Sequence, residues 1–170
     1  MKTCCFTGHR PKSLPWGYDE SKESCKEFKK ALYFLINKAI QNGCTHFISG
    51  MAEGFDTIAL EILIELKKSN SNIIIEGAIP CIGQELKWNK ESQERYQENL
   101  KKLDKTTILS SHYTNTCMHE RNDYMLDSSE LVIACYSGGS GGTISTISKA
   151  KRKNKKVIII NPKTLEIKGE

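Results

Sequence analysis

A glycine-rich segment between an apolar run and a helical pattern carries the clearest chemical signal in the sequence. It reads Ser137-Gly138-Gly139-Ser140-Gly141-Gly142-Thr143. Glycines at a strand-to-helix junction permit positive φ and a close approach of the backbone to a ligand. Amides exposed at a helix start, with the positive end of the dipole, favour phosphate or carboxylate. We predict anion binding here, with Thr143 capping the helix or donating its hydroxyl to a phosphate; a merely tight turn is the alternative.

A second turn of this kind is Ser49-Gly-Met-Ala-Glu-Gly-Phe-Asp56. Gly50 and Gly54 permit a tight exit from the preceding strand and close contact with whatever lies over it, and Met51 joins them as a candidate contact. Asp56 either caps the following helix or accepts hydrogen bonds from a ribose. The turn lacks the Gly-x-Gly-x-x-Gly pattern and no acidic residue ends the second strand, which disfavours a conventional nicotinamide-dependent dehydrogenase.

The first strand runs into Thr7-Gly8-His9-Arg10-Pro11, a turn that presents a histidine and an arginine. Arg10 offers a fork of donors that can bind an oxyanion in bidentate fashion. His9 can donate a hydrogen bond or act in acid–base chemistry. We therefore predict that this turn contacts a phosphate or ribose. The alternative is that Arg10 makes a surface ion pair while His9 packs under the loop.

A fourth set of polar residues lies in Glu120-Arg-Asn-Asp-Tyr-Met-Leu-Asp127, which has helical spacing. Several of Arg121, Asn122, Met125 and Asp127 are expected to share the side of the helix that faces the cleft. Arg121 would reach a second phosphate and Asn122 would read a base or sugar. An amphipathic surface helix is the competing explanation.

The elements that must position these turns alternate between strand and helix. Apolar runs predict strands at 2–7, 46–49, 73–79, 106–109, 131–136 and 157–161, and helical periodicity predicts helices at 20–42, from 55 to 66, within 81–104, at 119–128 and at 143–153. This alternation predicts a single α/β domain over residues 1–170. Its architecture would be a Rossmann-like three-layer sandwich, with a mostly parallel sheet of about six strands and helices on both faces. Ligands of such sheets bind beyond the carboxyl ends of the strands.

Composition limits the function classes. The chain is 38% hydrophobic and 26% charged, with a net charge of +5. Its apolar runs are too short to span a bilayer and its start resembles no signal peptide, so we expect a cytoplasmic protein without a membrane partner. The basic run from Lys149 to Lys156 either complements a helix dipole or forms a nucleic-acid patch.

The seven cysteines are scattered and form no C-x-x-C pair. We expect reduced thiols that pack as small hydrophobes, and no metal site.

Four motifs together resemble the YpsA-type family of the SLOG superfamily, which also includes the DprA/Smf DNA-processing proteins and the LOG phosphoribohydrolases. They are Cys5-Phe-Thr-Gly-His-Arg-Pro11, Ile48-Ser-Gly-Met-Ala-Glu-Gly-Phe-Asp56, Arg121-Asn-Asp-Tyr-Met-Leu-Asp127 and Gly138-Gly-Ser-Gly-Gly-Thr143. The likeness implies a Rossmann-like fold with a pocket for a nucleotide, ADP-ribose or an NAD derivative. By similarity, that pocket would draw on Gly8, His9, Arg10, Gly50, Gly54, Asp56, Arg121, Asn122 and the loop 138–143.

One departure from the superfamily bears on activity. LOG-type hydrolases carry a motif that resembles P-G-G-x-G-T-x-x-E, and its glutamate serves glycosidic cleavage. In this sequence Thr146 stands where that glutamate would fall. The favoured hypothesis is therefore a ligand-binding or sensor domain. A second is an N-glycosidic or pyrophosphate hydrolase with His9 as acid–base group and Asp56 or Asp127 as its carboxylate partner. A third is single-stranded DNA binding in the manner of DprA. Self-association is compatible with all three.

Overall fold

The computed structural model describes residues 2–169, which form seven strands and five helices. The strands are β1 (Lys2–Gly8), β2 (Cys44–Ser49), β3 (Ile74–Ile79), β4 (Lys105–Ile108), β5 (Leu131–Cys135), β6 (Lys156–Ile160) and β7 (Ile167–Lys168). The helices are α1 (Glu23–Gln41), α2 (Phe55–Lys67), α3 (Lys90–Leu100), α4 (Cys117–Asp127) and α5 (Gly142–Arg152), and a 3-10 turn covers Pro11–Ser13. The predicted alternation of strand and helix is confirmed.

The strands form one sheet in the order β4-β3-β2-β1-β5-β6-β7. All neighbouring pairs from β4 to β6 are parallel, which confirms a mostly parallel, Rossmann-like sheet. The chain adds β2, β3 and β4 on one side of β1, then returns to place β5 on the other side. The gap between the carboxyl ends of β1 and β5 is therefore the topological switch point, where such sheets bind ligands.

The sheet has seven strands, one more than the six that the apolar runs predict, because a short strand follows the last predicted one at 157–161. The side chain of Asn161 accepts hydrogen bonds from the backbone N–H groups of Lys163 and Thr164, and Leu165 adopts a φ of 63°. At this turn the chain reverses its direction, so β7 pairs antiparallel with β6 and Ile167 lies opposite Ile160. Two residues are too few to show a strand pattern in the sequence.

Side chains of a strand alternate between the two faces of the sheet, so each face has its own buried cluster. Cys4 and Phe6 of β1 pack in the larger cluster, which includes the buried stripe of α1 that starts at Cys25. Cys5 packs in a smaller cluster with Met125 of α4 and Ala150 of α5. Burial of each large apolar side chain contributes about 1.5–3 kcal/mol, so both helical layers hold the strands in place.

The seven cysteines are buried and unpaired, as expected. Burial raises the pKa of the Cys5 thiol to about 12, which keeps it protonated. Within residues 2–169, no group of three or more His, Cys, Asp or Glu side chains is arranged to hold a metal ion. None of the helices in that range has the length and apolar character needed to cross a membrane.

Candidate functional site

A cavity of about 670 Å³ opens at the carboxyl ends of β1 and β5. This volume lies within the roughly 300–1,000 Å³ of small-molecule sites. Its walls come from the turn after β1, the start of α2, one side of α4 and the loop before α5. The lining residues are Phe6, Thr7, Gly8, His9, Arg10, Lys12, Ser13, Ala52, Asp56, Arg121, Asn122, Met125, Tyr136, Gly138, Gly139, Ser140, Gly141, Gly142, Thr143 and Ile144. The structure thus brings most of the predicted contacts to one hollow.

The loop before α5 presents its backbone to this cavity. Gly138, Gly139 and Gly141 have φ values of 118°, 92° and 132°, which other residues rarely adopt. Gly141 rather than Thr143 is the N-cap of α5, and no side chain accepts a hydrogen bond there. The first N–H groups of a helix have no partner within the helix, so those of α5 are available to an anion.

His9 ties this loop to the turn after β1. The backbone N–H of Ser137 donates to Nε2 of His9 over 3.0 Å, so Nε2 is unprotonated, and the Ser137 hydroxyl lies 3.2 Å from the same nitrogen. Burial, together with the charge of Lys163, lowers the pKa of His9 and favours this neutral form. The Nε2 atom of His9 is therefore occupied in holding the loop and is not free for the acid–base chemistry that the sequence offered as one role of this residue.

Asp56 and Arg121 are buried charged groups at the floor of the cavity. Arg121 is only 4% exposed and donates from Nη1 to the carbonyl of Gly50 and from Nε to the side chain of Asn122. Asp56 is 6% exposed and accepts a hydrogen bond from the N–H of Ala52 over 3.3 Å. Burial raises the pKa of Asp56, against the opposing charges of Arg121 and Arg10. Burial likewise lowers the pKa of Arg121.

Gly50, Met51 and Gly54 lie behind the lining rather than in it. A Cβ on Gly50 would stand 2.5 Å from Nη1 of Arg121, and one on Gly54 would stand 2.6 Å from the carbonyl oxygen of His9. Met51 is buried with a φ of 59°. These residues let the β2–α2 turn pack against the other two segments, so their position is explained by packing within the protein.

The charges around the cavity are mainly positive. Arg10 and Lys12 join Arg121 in the lining, and Asp56 is the single carboxylate there within residues 2–169. Asp127 does not line the cavity, because it is exposed at the end of α4 and pairs with Lys153. A cavity with this charge favours an anionic ligand.

Sequence reasoning missed six of the lining residues, which are Phe6, Lys12, Ser13, Ala52, Tyr136 and Ile144. Pro11 begins the 3-10 turn that brings Lys12 and Ser13 to the cavity. Proline is common at the first position of a helical turn, so Pro11 could have predicted this turn from the sequence. Tyr136 follows β5, and its hydroxyl donates to the carbonyl of Gly139. No pattern in the sequence indicates that contact.

Comparison with known proteins gives one family model, described as the YspA SLOG family, which matches residues 4–165. The chain is 30% identical over 118 residues to the uncharacterized SPbeta prophage-derived protein YoqJ of Bacillus subtilis, covering 62% of this chain and 69% of that protein. It is 23% identical over 173 residues to the UPF0398 protein BH1768 of Halalkalibacterium halodurans, covering 98% of this chain and 91% of the relative.

Two solved structures share the fold. The DNA processing protein A (DprA) of Streptococcus pneumoniae has a TM-score of 0.61 at 17% identity, with 94% of this chain and 50% of that chain covered. The DprA of Helicobacter pylori, whose structure addresses its binding of single-stranded DNA, has a TM-score of 0.57 at 19% identity, with 94% and 65% covered. The chain thus spans only about half to two thirds of these proteins.

Proposed function

The chain belongs to the YspA SLOG family, and from this premise we propose that it binds a phosphate-bearing nucleotide derivative at the switch point of its sheet. The ligand class comprises nucleotides, ADP-ribose and NAD-like molecules. The phosphate lies against the N-terminus of α5, with Arg10 and Lys12 as further cationic contacts. Asp56 and Asn122 contact a ribose or base. The protein acts as a ligand sensor rather than as an enzyme.

Gly142 carries this proposal. It has no positive φ, and a Cβ built on it meets no atom within 4 Å. Neither backbone conformation nor packing in the fold therefore accounts for a glycine at the first position of α5, where another residue would favour the helix. A ligand that approaches the backbone there does account for it. Gly8, Gly50 and Gly54 differ, because neighbouring atoms exclude a Cβ at each of them.

The catalytic groups that line the cavity are too few for hydrolysis, which favours a binding function. Glycosidases use a pair of carboxylates, and Asp56 is the single carboxylate lining the cavity among the described residues. The Nε2 atom of His9 already accepts a hydrogen bond from Ser137. Incubation of the protein with ADP-ribose, NAD and AMP, followed by chromatography, should return each compound intact; catalytic release of a base or phosphate would support the hydrolase instead.

Thermal unfolding in the presence of ADP-ribose, NAD and AMP tests the binding. A ligand at one hundred times its Kd stabilises the folded state by about 2.7 kcal/mol. For a chain of this size, that raises Tm by roughly 5–10 °C. We expect such a rise with at least one of the three compounds. No rise with any of them at millimolar concentration would reject the proposal.

The variant Gly142→Ala separates binding from folding. Without ligand its Tm is expected to match or slightly exceed the wild-type value, because alanine is the better helix former. With ligand its Tm rise should be smaller, because the methyl group stands where the phosphate approaches. Ser145→Ala is the matched control, since Ser145 is exposed on the same helix and does not line the cavity. An equal ligand response in Gly142→Ala and wild type would contradict the proposed contact.

A further inference from the structure

The loop before α5, residues 137–141, touches little of the rest of the protein. A Cβ built on Gly138, Gly139 or Gly141 would meet no atom within 4 Å. Within residues 2–169, the N–H groups of Gly138, Gly139 and Ser140 donate to no other group. Because glycine adopts positive and negative φ almost equally well, packing alone leaves this loop free to change its conformation.

Two side chains nevertheless hold the loop by hydrogen bonds. Nε2 of His9 accepts from the N–H of Ser137 over 3.0 Å. The hydroxyl of Tyr136 donates to the carbonyl of Gly139 over 2.5 Å. Tyr136 itself is anchored, because its N–H donates to the carbonyl of Ile160 in β6 over 3.1 Å and its ring lies with its centroid 5.5 Å from that of His9. The hydroxyl of an anchored residue therefore holds a carbonyl of a loop that packing leaves free.

The hydrogen bond from Tyr136 fixes a whole peptide group. The carbonyl of Gly139 and the N–H of Ser140 belong to one planar trans peptide, so they rotate together and point in opposite directions. Rotation of that peptide would exchange the places of an acceptor and a donor. Both residues line the cavity, where an N–H group attracts a phosphate and an unpaired carbonyl oxygen repels it. The orientation of this one peptide therefore changes the affinity of the cavity for an anion.

We propose that Tyr136 is a positioning residue for the phosphate of the ligand. Its hydroxyl holds the peptide between Gly139 and Ser140 in one orientation, which keeps the carbonyl occupied and leaves the N–H of Ser140 for the phosphate. A loop that is ordered before the ligand arrives loses less conformational entropy when the ligand binds. This role of Tyr136 rests on the function proposed above, because it takes the loop and the N-terminus of α5 as the phosphate site.

Tyr136→Phe removes the hydroxyl and keeps the ring beside His9. The variant should bind each of ADP-ribose, NAD and AMP that the wild type binds about fivefold more weakly, which is within the range of one neutral hydrogen bond. Tyr113→Phe is the matched control, because Tyr113 is 69% exposed and does not line the cavity. Titration of isotope-labelled protein, followed by NMR, measures the Kd of the wild type and of both variants under the same conditions.

The same spectra separate positioning of the loop from a general loss of structure. In Tyr136→Phe, the shift that saturating ligand causes in the amide resonances of Gly139 and Ser140 should be smaller than in the wild type, whereas the shift at Ala52 and Asn122 should be the same. The assigned role is overturned if Tyr136→Phe binds as tightly as Tyr113→Phe, or if all four resonances change alike. If the wild type binds none of the three compounds, the proposed function fails and this role fails with it; if the wild type binds and the two variants are equal, this role alone fails.

Discussion

The backbone N–H of Ser137 donates to Nε2 of His9, so the turn after β1 and the loop before α5 are held together by one imidazole. The contact requires the neutral ring. Its strength, in the range of 0.5–1.5 kcal/mol for a typical hydrogen bond, is therefore tied to pH. The glycine loop owes part of its position to a residue 128 positions away.

Acid is expected to weaken this link. The pKa of His9 is lowered from 6.5 in the folded protein, so the bond contributes its full stability above about pH 6.5 and loses it as pH falls through the folded pKa. The difference in free energy of unfolding between wild type and His9→Ala should therefore shrink from pH 7.5 to pH 5, by on the order of 1 kcal/mol. Urea titrations at both pH values measure it.

The exposed His112 provides the control for that comparison. At pH 7.5, His112→Ala should change the free energy of unfolding less than His9→Ala does, because His112 is exposed. A His9→Ala difference that is constant with pH, or one that grows in acid, would contradict the assigned role of Nε2.

Gly8→Ala is expected to destabilise the fold by about 1–3 kcal/mol. The added Cβ would lie 2.4 Å from Cδ2 of Phe55 and 2.8 Å from Cβ of Cys135, where α2 packs against the end of β1. Chemical denaturation should show the loss, whereas Gly142→Ala should show none. If the two variants have the same stability, the distinction between packing glycines and cavity glycines fails.

Asp56→Asn is expected to raise stability and lower affinity. Burial raises the pKa of Asp56, so its stabilising contribution is present below the unfolded pKa and is lost as pH rises through the folded pKa. At neutral pH the ionised carboxylate is desolvated, so its replacement by the neutral amide should stabilise the protein, by an amount that the lost attraction to the buried Arg121 reduces. Unfolding at pH 7 measures this effect, and calorimetric titration with ADP-ribose, NAD and AMP measures affinity for the compounds that bind.

The exposed Asp19 supplies the corresponding control, since it does not line the cavity. Asp19→Asn should leave nucleotide affinity unchanged. Lower stability of Asp56→Asn at pH 7 would show that the carboxylate is better satisfied than its single hydrogen bond indicates.

Binding to single-stranded DNA is expected to be weak. Lys149 and Lys153, in the basic run at the end of α5, pair with Asp123 and Asp127 and so have less charge to offer phosphates. Fluorescence anisotropy with an oligothymidine at low and moderate salt should give a Kd no tighter than the roughly 10⁻⁴–10⁻⁶ M of non-specific binding. A much tighter Kd with a steep salt dependence would favour the activity that is described for the Helicobacter DprA.

Local patterns were enough to predict the sheet and the place of the cavity. The apolar run of β5 and the glycines after it are adjacent in sequence, and parallel strands bring their carboxyl ends to one edge. The reason for each glycine could not be predicted in this way. Arg121, a residue 71 positions away, leaves no room for a side chain on Gly50, whereas a Cβ on Gly142 would meet no neighbouring atom.

A smaller hollow of about 150 Å³, on the other side of the turn after β1 from the main cavity, had no signal in the sequence. Trp16 lies in an irregular segment, and Glu53 lies in a turn where the neighbouring glycines drew attention. Their proximity depends on how the turn after β1 folds over the start of α2, where the N–H of Phe55 donates to the carbonyl of His9 over 3.1 Å. Only the assembled fold brings these two residues to the same small hollow.

The turn after β1 forms one wall of the main cavity and one wall of the smaller hollow on its other side, and this has a thermodynamic consequence. A ligand that orders this turn from the main cavity changes the energy that any molecule on the other side needs to order it. Linkage makes such coupling reciprocal: whatever factor a second molecule applies to nucleotide affinity, the nucleotide applies to the affinity for that molecule.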